Sequence, residues 1–184
     1  MTVLVTGGAA SGKSACAEHI AEMLHIKYGG PLYYLAAMEH KSAAARKRIA
    51  AHRRQRAGKG FVTVERERSI GETIFPLGTA GAVVLLECLT VLAANELFLP
   101  DGTCRSVHDT VRSMLSALRR LERRCACLIA VCSDIFAGGT AYSDAVRAYL
   151  DTLAEVRNRF AAGCSAVIET TAGIPIVIKG TVLW

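Results

Sequence analysis

Gly7-Gly8-Ala9-Ala10-Ser11-Gly12-Lys13-Ser14 has the GxxxxGKS spacing of a phosphate-binding loop. It stands between a β-branched run, Thr2-Val3-Leu4-Val5-Thr6, and a helical stretch from Ala15 to Leu24. A strand, a glycine loop and a helix in that order form the P-loop context. The glycines leave backbone N–H groups free to curl round a phosphate. The helix N-terminus adds positive dipole at the same place. Lys13 is the residue that reaches the β- and γ-phosphates, and Ser14 the one that holds Mg²⁺. A plain glycine turn is the bland alternative, and the full match in its proper context argues against it. The second acid of such a site is sought at the end of a buried strand. Gly81-Ala82-Val83-Val84-Leu85-Leu86-Glu87 is a near-continuous apolar run that closes on one carboxylate, Glu87. A carboxylate there sits where Mg²⁺ and the P-loop meet.

A second chemical pattern lies in Arg46-Lys47-Arg48-Ile49-Ala50-Ala51-His52-Arg53-Arg54-Gln55-Arg56. On a helix, Arg48, His52 and Arg56 fall at i, i+4 and i+8, on one face. Two guanidiniums flanking an imidazole suit a polyphosphate. They hold the anion, and their charge disfavours protonation of the ring, leaving a nitrogen free to attack phosphorus. Spacing alone favours a solvated basic helix or a nucleic-acid contact, since basic helices are common. No aromatic stacking platform is interleaved in that helix, which weighs against nucleic acid.

These residues need elements to position them. Strands are expected over Leu32–Ala37, Phe61–Glu65, Gly81–Glu87, Cys127–Cys132, Ala166–Thr171 and Ile174–Lys179, besides the first. Helices are expected over Met38–Ala57, Thr90–Phe98, Val107–Arg124 and Ser143–Ala162, with a short one near Ile70–Phe75. In the third of these, Val107, Val111, Met114, Leu115, Leu118 and Leu121 share a side. Ala172-Gly173 alone separates the last two strands, so they pair as an antiparallel hairpin. Alternation of strands and helices implies an α/β fold. The expectation is a P-loop NTPase with a mostly parallel central sheet, helices on both faces and a C-terminal antiparallel hairpin.

Composition is consistent with this. The chain has 184 residues, 52% hydrophobic and 21% charged, with net charge +6. That length suggests one nucleotide-binding domain over residues 1–184. No apolar run approaches ~20 residues, so no membrane span is expected. The N-terminus has no basic leader and is itself a core strand, so no signal peptide is expected. The seven cysteines are scattered, and Cys125-Ala126-Cys127 is too short for a CxxC pair. Most of them read as small buried hydrophobes in a reducing cytoplasm, not as a disulfide or zinc framework.

The ordered set of motifs resembles the bifunctional adenosylcobinamide kinase/adenosylcobinamide-phosphate guanylyltransferase family of cobalamin biosynthesis. The likeness runs from Leu4-Val5-Thr6-Gly7-Gly8 and GKS through Tyr34-Leu35-Ala36 and Arg48-Ile49-x-x-His52-x-x-x-Arg56. It continues through Thr63-Val64-Glu65, Leu85-Leu86-Glu87-Cys88-Leu89-Thr90 and Asn95 to Ala172-Gly173-Ile174-Pro175 and Lys179. The resemblance implies His52 as the residue that accepts GMP from GTP and passes it to a phosphorylated corrinoid. It implies ATP and GTP as substrates with Mg²⁺, and a nucleotide-binding set of Gly7 to Ser14, Arg48, Arg56, Glu65 and Glu87. It also implies a homotrimer acting on a corrinoid, without nucleic acid as partner. Some positions depart from the family pattern. Ala9-Ala10 stand where an Arg precedes Ser-Gly-Lys-Ser. Ser42-Ala43-Ala44-Ala45 replace an acidic-Met segment. Ser133-Asp134-Ile135-Phe136, Ala141 and Arg157-Asn158 also differ, while Arg147 and Asp151 fit. Two other readings compete: a P-loop kinase of another small alcohol, and a nucleotide-dependent nucleic-acid-binding protein.

Overall fold

The computed structural model describes residues 1–38, 54, 56, 58–136, 138–139 and 141–181. The helix expected over Met38–Ala57, with Arg48 and His52, therefore lies almost wholly outside the described residues.

The described residues form a sheet of seven strands. They are β1 (Thr2–Gly7), β2 (Leu32–Ala36), β3 (Val62–Glu65), β4 (Val83–Glu87), β5 (Cys127–Ser133), β6 (Ala166–Thr171) and β7 (Ile174–Lys179). Four α-helices accompany them among the described residues: α1 (Lys13–Tyr28), α2 (Leu89–Leu97), α3 (Val107–Arg124) and α4 (Asp144–Gly163). The short helix expected near residue 70 is a single 3₁₀ turn, Ile70–Glu72.

The sheet order is β3-β2-β4-β5-β1-β6-β7. Every neighbouring pair is parallel except β6–β7. The hairpin turn has φ +50° at Ala172 and +81° at Gly173, the two positive values that a tight two-residue connection requires.

Alternation along the strands sorts the core. Val3, Val5, Leu32, Tyr34, Val83, Leu85, Ile129 and Ile168 pack with Ala17, Ile20, Ala21 and Leu24 of α1 on one face. Leu4, Tyr33, Leu35, Val84, Leu86, Leu128, Ala130 and Val167 pack with α2, α3 and α4 on the other. In α3 the apolar stripe is as expected: Val111, Met114, Leu118 and Leu121 are buried, and Val107 and Leu115 are partly so. Central strands buried on both faces explain why their sequences are apolar runs rather than alternations.

From β1 the chain leaves by α1 on one face towards β2. From the adjacent β5 it leaves by α4 on the other face towards β6. The two connections cross on opposite faces of the sheet, because β5 stands on the β2 side of β1. Ligands of open α/β sheets collect at the carboxyl ends of the strands, and the glycine loop lies at that end of β1.

Candidate active site

The loop after β1 is shaped by its own backbone and by β6. Gly7 has φ +147°, and a Cβ there would lie 2.4 Å from the Thr170 carbonyl oxygen. Gly12 has φ +94° and sits against Gly173 of the hairpin turn, with 3.2 Å between a built Cβ and the Gly173 Cα. Both positions need glycine for space and for backbone freedom. Ala10 adopts φ +55°, a left-handed conformation that a side chain takes at a cost of about 1 kcal/mol. Gly12 is also the N-cap of α1 and brings no side chain to cap it. The first N–H groups of α1 therefore point into the loop, the arrangement that favours an anion.

Lys13 is buried at 8% exposure, and its ammonium donates to the Gly8 carbonyl across the loop at 2.5 Å. The Ser14 hydroxyl donates to Glu87 Oε1 at 2.5 Å. The two oxygen-bearing residues that the sequence nominated, one at the start of α1 and one at the end of β4, thus meet at one point. Strand β5 stands between β1 and β4, with Gly7 opposite Ser133 and Glu87 opposite Val131. Helix α1 carries Ser14 across that gap to Glu87.

Glu65 ends β3 and is exposed, in register with Ala36, which is in register with Glu87. The ends of β3, β2 and β4 therefore align along one edge of the site. Arg56, expected among the arginines that hold the anion, is buried against an aromatic ring. It is 5% exposed, with its guanidinium carbon 3.3 Å from the centre of the Tyr34 ring. Its Nε and Nη1 have no hydrogen-bond partner among the described residues. Burial, and then the Glu87 carboxylate, raise the pKa of the Tyr34 phenol, while the Arg56 charge opposes them. Arg56, Tyr34 and Glu87 thus share one electrostatic neighbourhood. Nearby, Lys59 reaches α1 and pairs with Glu18 at 2.8 Å and Glu22 at 3.1 Å. Arg48 and His52 lie outside the described residues.

Several residues that support the site escaped the sequence reading. Thr170 is 1% exposed and lies 2.8 Å from the Ser11 hydroxyl. The Gly173 N–H donates to the Ser11 carbonyl at 3.0 Å. The Asp134 N–H donates to the Gly7 carbonyl at 2.8 Å. Arg157 stacks on Phe136 at 4.3 Å and lies 3.9 Å from Asp134. The departures noted at Ser133–Phe136 and at Arg157 therefore belong to one contact. Glu96 is buried at 4% exposure. Its place in the spacing Leu89, Leu92, Ala93, Glu96, Leu97 is the signal that could have revealed it.

All seven cysteines are free. Cys127, Cys132 and Cys164 are buried, as small hydrophobes should be, but Cys104 is exposed. Among the described residues no cluster of three or more His, Cys, Asp or Glu residues could hold a metal, and no helix is long and apolar enough to cross a membrane.

Residues 3–178 match the family model described as cobinamide kinase / cobinamide phosphate guanyltransferase. The chain belongs to this family. Among its relatives is the bifunctional adenosylcobalamin biosynthesis protein CobP of Pseudomonas aeruginosa. It is 29% identical over 180 residues, covering 98% of each chain. The bifunctional adenosylcobalamin biosynthesis protein CobU of Escherichia coli is 29% identical over 190 residues, covering 97% of this chain and 100% of that protein. Similar solved structures include the flagellar accessory protein FlaH of Methanocaldococcus jannaschii. The TM-score is 0.51 at 10% identity, covering 98% of this chain and 78% of that one. A KaiC-like protein of Pyrococcus horikoshii gives a TM-score of 0.50 at 17% identity, covering 91% of this chain and 69% of that one. At such identities these two speak for the fold alone. In this cobinamide kinase / cobinamide phosphate guanyltransferase family member, the glycine loop after β1 and Glu87 at the end of β4 meet through the Ser14–Glu87 contact.

Proposed function

We propose that the protein phosphorylates adenosylcobinamide with ATP or GTP and then transfers GMP from GTP to the product, giving adenosylcobinamide-GDP. The observation that carries this reading is the Ser14–Glu87 contact beside the Lys13 ammonium. It unites P-loop and strand-end acid in a chain of the cobinamide kinase family.

In the first reaction the aminopropanol hydroxyl oxygen attacks the γ-phosphorus. The bond from that phosphorus to the β–γ bridging oxygen breaks, and the hydroxyl proton is lost. Lys13 and the N–H groups of the loop hold the phosphate oxygens as charge develops on them. Ser14 and Glu87 present hard oxygen donors, the kind Mg²⁺ takes together with phosphate oxygens and water. A Mg²⁺ ion held there would supply charge neutralisation at the phosphates.

In the second reaction a His52 ring nitrogen attacks the α-phosphorus of GTP and pyrophosphate leaves. A phosphate oxygen of the phosphorylated corrinoid then attacks the phosphoramidate, and the P–N bond breaks. Two steps through a covalent intermediate replace one harder displacement. Arg48, Arg56 and Glu65 complete the nucleotide set in this reading. Subunit assembly as a cytoplasmic homotrimer is part of it. The edge strand β7 supports an assembly, since Ile174 is 65%, Ile176 47%, Val177 40% and Ile178 59% exposed.

The test is incubation with α-labelled GTP followed by adenosylcobinamide phosphate. Acid-labile, alkali-stable label on the protein, absent from His52→Ala and discharged onto the corrinoid, is the expected result. Phosphorylation of the corrinoid without any protein label would reduce the protein to a kinase.

A further inference from the structure

We propose that Asn95 is a positioning residue for guanylyl transfer, fixing the β2–β3 side of the site relative to the P-loop side. The proposal rests on the function argued above.

One amide nitrogen makes the link. Asn95 Nδ2 donates to the Ala37 carbonyl at 2.8 Å and to the Glu67 carbonyl at 3.0 Å. Ala37 directly follows β2, and its own N–H donates to the Glu87 carbonyl at 3.0 Å. Glu67 stands two residues past the end of β3, and the intervening Arg66 N–H donates to the Ala36 carbonyl at 2.9 Å. Peptide groups around residues 36–37, 65–67 and 87 thus form one hydrogen-bonded patch, and Asn95 spans it. Helix α2 starts just after Glu87 and is fixed by Leu89, Leu92, Ala93 and Leu97, all fully buried. It acts as a rigid arm from Glu87 to Asn95.

The neighbouring Glu96 shows what a purely structural tie looks like. Its Oε1 accepts from the Ser69 N–H at 2.6 Å, and its Oε2 pairs with Arg105 at 3.3 Å. That already fastens the loop after β3 to α2. Asn95 does more, since it reaches the exit of β2 as well. The residues between Ala37 and Glu67 include Arg56, Glu65 and, in sequence, His52. Phosphoryl transfer draws on Lys13, Ser14 and Glu87, whereas guanylyl transfer also needs this second set. The amide suits the task because one nitrogen offers two donors to two carbonyls. Asp would set acceptors against those carbonyls, and Gln would displace the amide by one methylene.

The experiment compares Asn95→Ala, Asn95→Asp and Asn95→Gln in the full chain. It measures single-turnover labelling by α-labelled GTP, corrinoid kinase kcat and KM, and thermal midpoint. Glu96→Gln serves as the control for a loosened loop. The labelling rate should fall at least about tenfold in the Ala and Asp variants, because small misplacement of a reacting group is costly. Kinase kcat/KM should stay within about twofold, since phosphoryl transfer draws on Lys13, Ser14 and Glu87. The Gln variant should recover part of the labelling rate. Glu96→Gln should lower the thermal midpoint without changing the ratio of the two activities. Equal loss of both activities in the Asn95 variants, or unchanged labelling, would overturn the proposal. A variant too unstable to assay as Ala is judged on the isosteric Asp. A wild-type protein that takes no label overturns guanylyl transfer itself, and this proposal with it.

Discussion

The hydroxyls of Ser11 and Thr170 meet at 2.8 Å in the buried interior, joining the glycine loop to the last parallel strand. The Thr170 hydroxyl also lies 3.3 Å from the Thr6 carbonyl, to which it donates. Ser11 then donates to Thr170, which leaves each hydroxyl proton with one acceptor. Thr170→Val removes both bonds while keeping the shape. Unfolding free energy in urea should fall by about 1–3 kcal/mol, the cost of stranding buried polar groups. ATP affinity should fall with it, by several-fold in a calorimetric titration, and Thr170→Ser should retain both. A destabilised Thr170→Val protein with unchanged ATP affinity would show that the contact does not shape the loop.

Ser14 and Glu87 act on the same oxygen-rich point, so their losses should not add. Ser14→Ala and Glu87→Gln should each raise the Mg²⁺ concentration needed for phosphoryl transfer by roughly 10–100-fold. The double variant should be little worse than either alone, as in residues that work as a unit. Magnesium titrations of the kinase rate check this, and full additivity would place the two residues in separate roles.

Much of this was legible in the chain because local chemistry dictates it. Gly7 to Ser14 must form a loop between strand and helix, and the apolar run ending at Glu87 must be a strand covered on both faces. The two-residue link at Ala172-Gly173 leaves the last strands little choice but to pair. Strand order was not legible, since periodicity says which face is buried and nothing about which strand stands beside it. That β5 separates β1 from β4 depends on how the crossovers pack. The Ser11–Thr170 contact spans 159 residues and has no local signal. Arg56 illustrates a different limit. Its spacing with Arg48 and His52 marked it as a cation for an anion, and nothing local showed that the aromatic face of Tyr34 would cover its guanidinium.

That stack gives a prediction of its own. A planar guanidinium lies flat on a ring, and an ammonium does not. Arg56→Lys should cost about 1–2 kcal/mol of unfolding free energy, the range of a partly desolvated cation–π contact. Tyr34→Leu should cost much less in the Arg56→Lys background than in the wild type. Equal costs in both backgrounds, measured in a urea double-mutant cycle, would mean that the stack contributes nothing.

The thiols predict how stability responds to alkali. Burial pushes Cys127, Cys132 and Cys164 each up to about 12, and Cys125 up to about 11. In an unfolded chain a thiol ionises near about 8.5. Above that pH the unfolded chain sheds thiol protons that the folded chain keeps. The native state then binds more protons than the unfolded state, and stability must fall as pH rises. Between about pH 7 and 8 these groups should leave the urea midpoint flat, because both states hold the proton. From about pH 9 to 10.5 the unfolding free energy should decline, each thiol adding up to about 1.4 kcal/mol per pH unit. Cys127→Ala and Cys132→Ala should each lower stability at pH 7 and make the alkaline decline shallower. Slopes identical to wild type in both variants would show that other groups drive the decline. Cys104, exposed in the loop before α3, should react first with a thiol reagent in the native protein, ahead of the three buried cysteines.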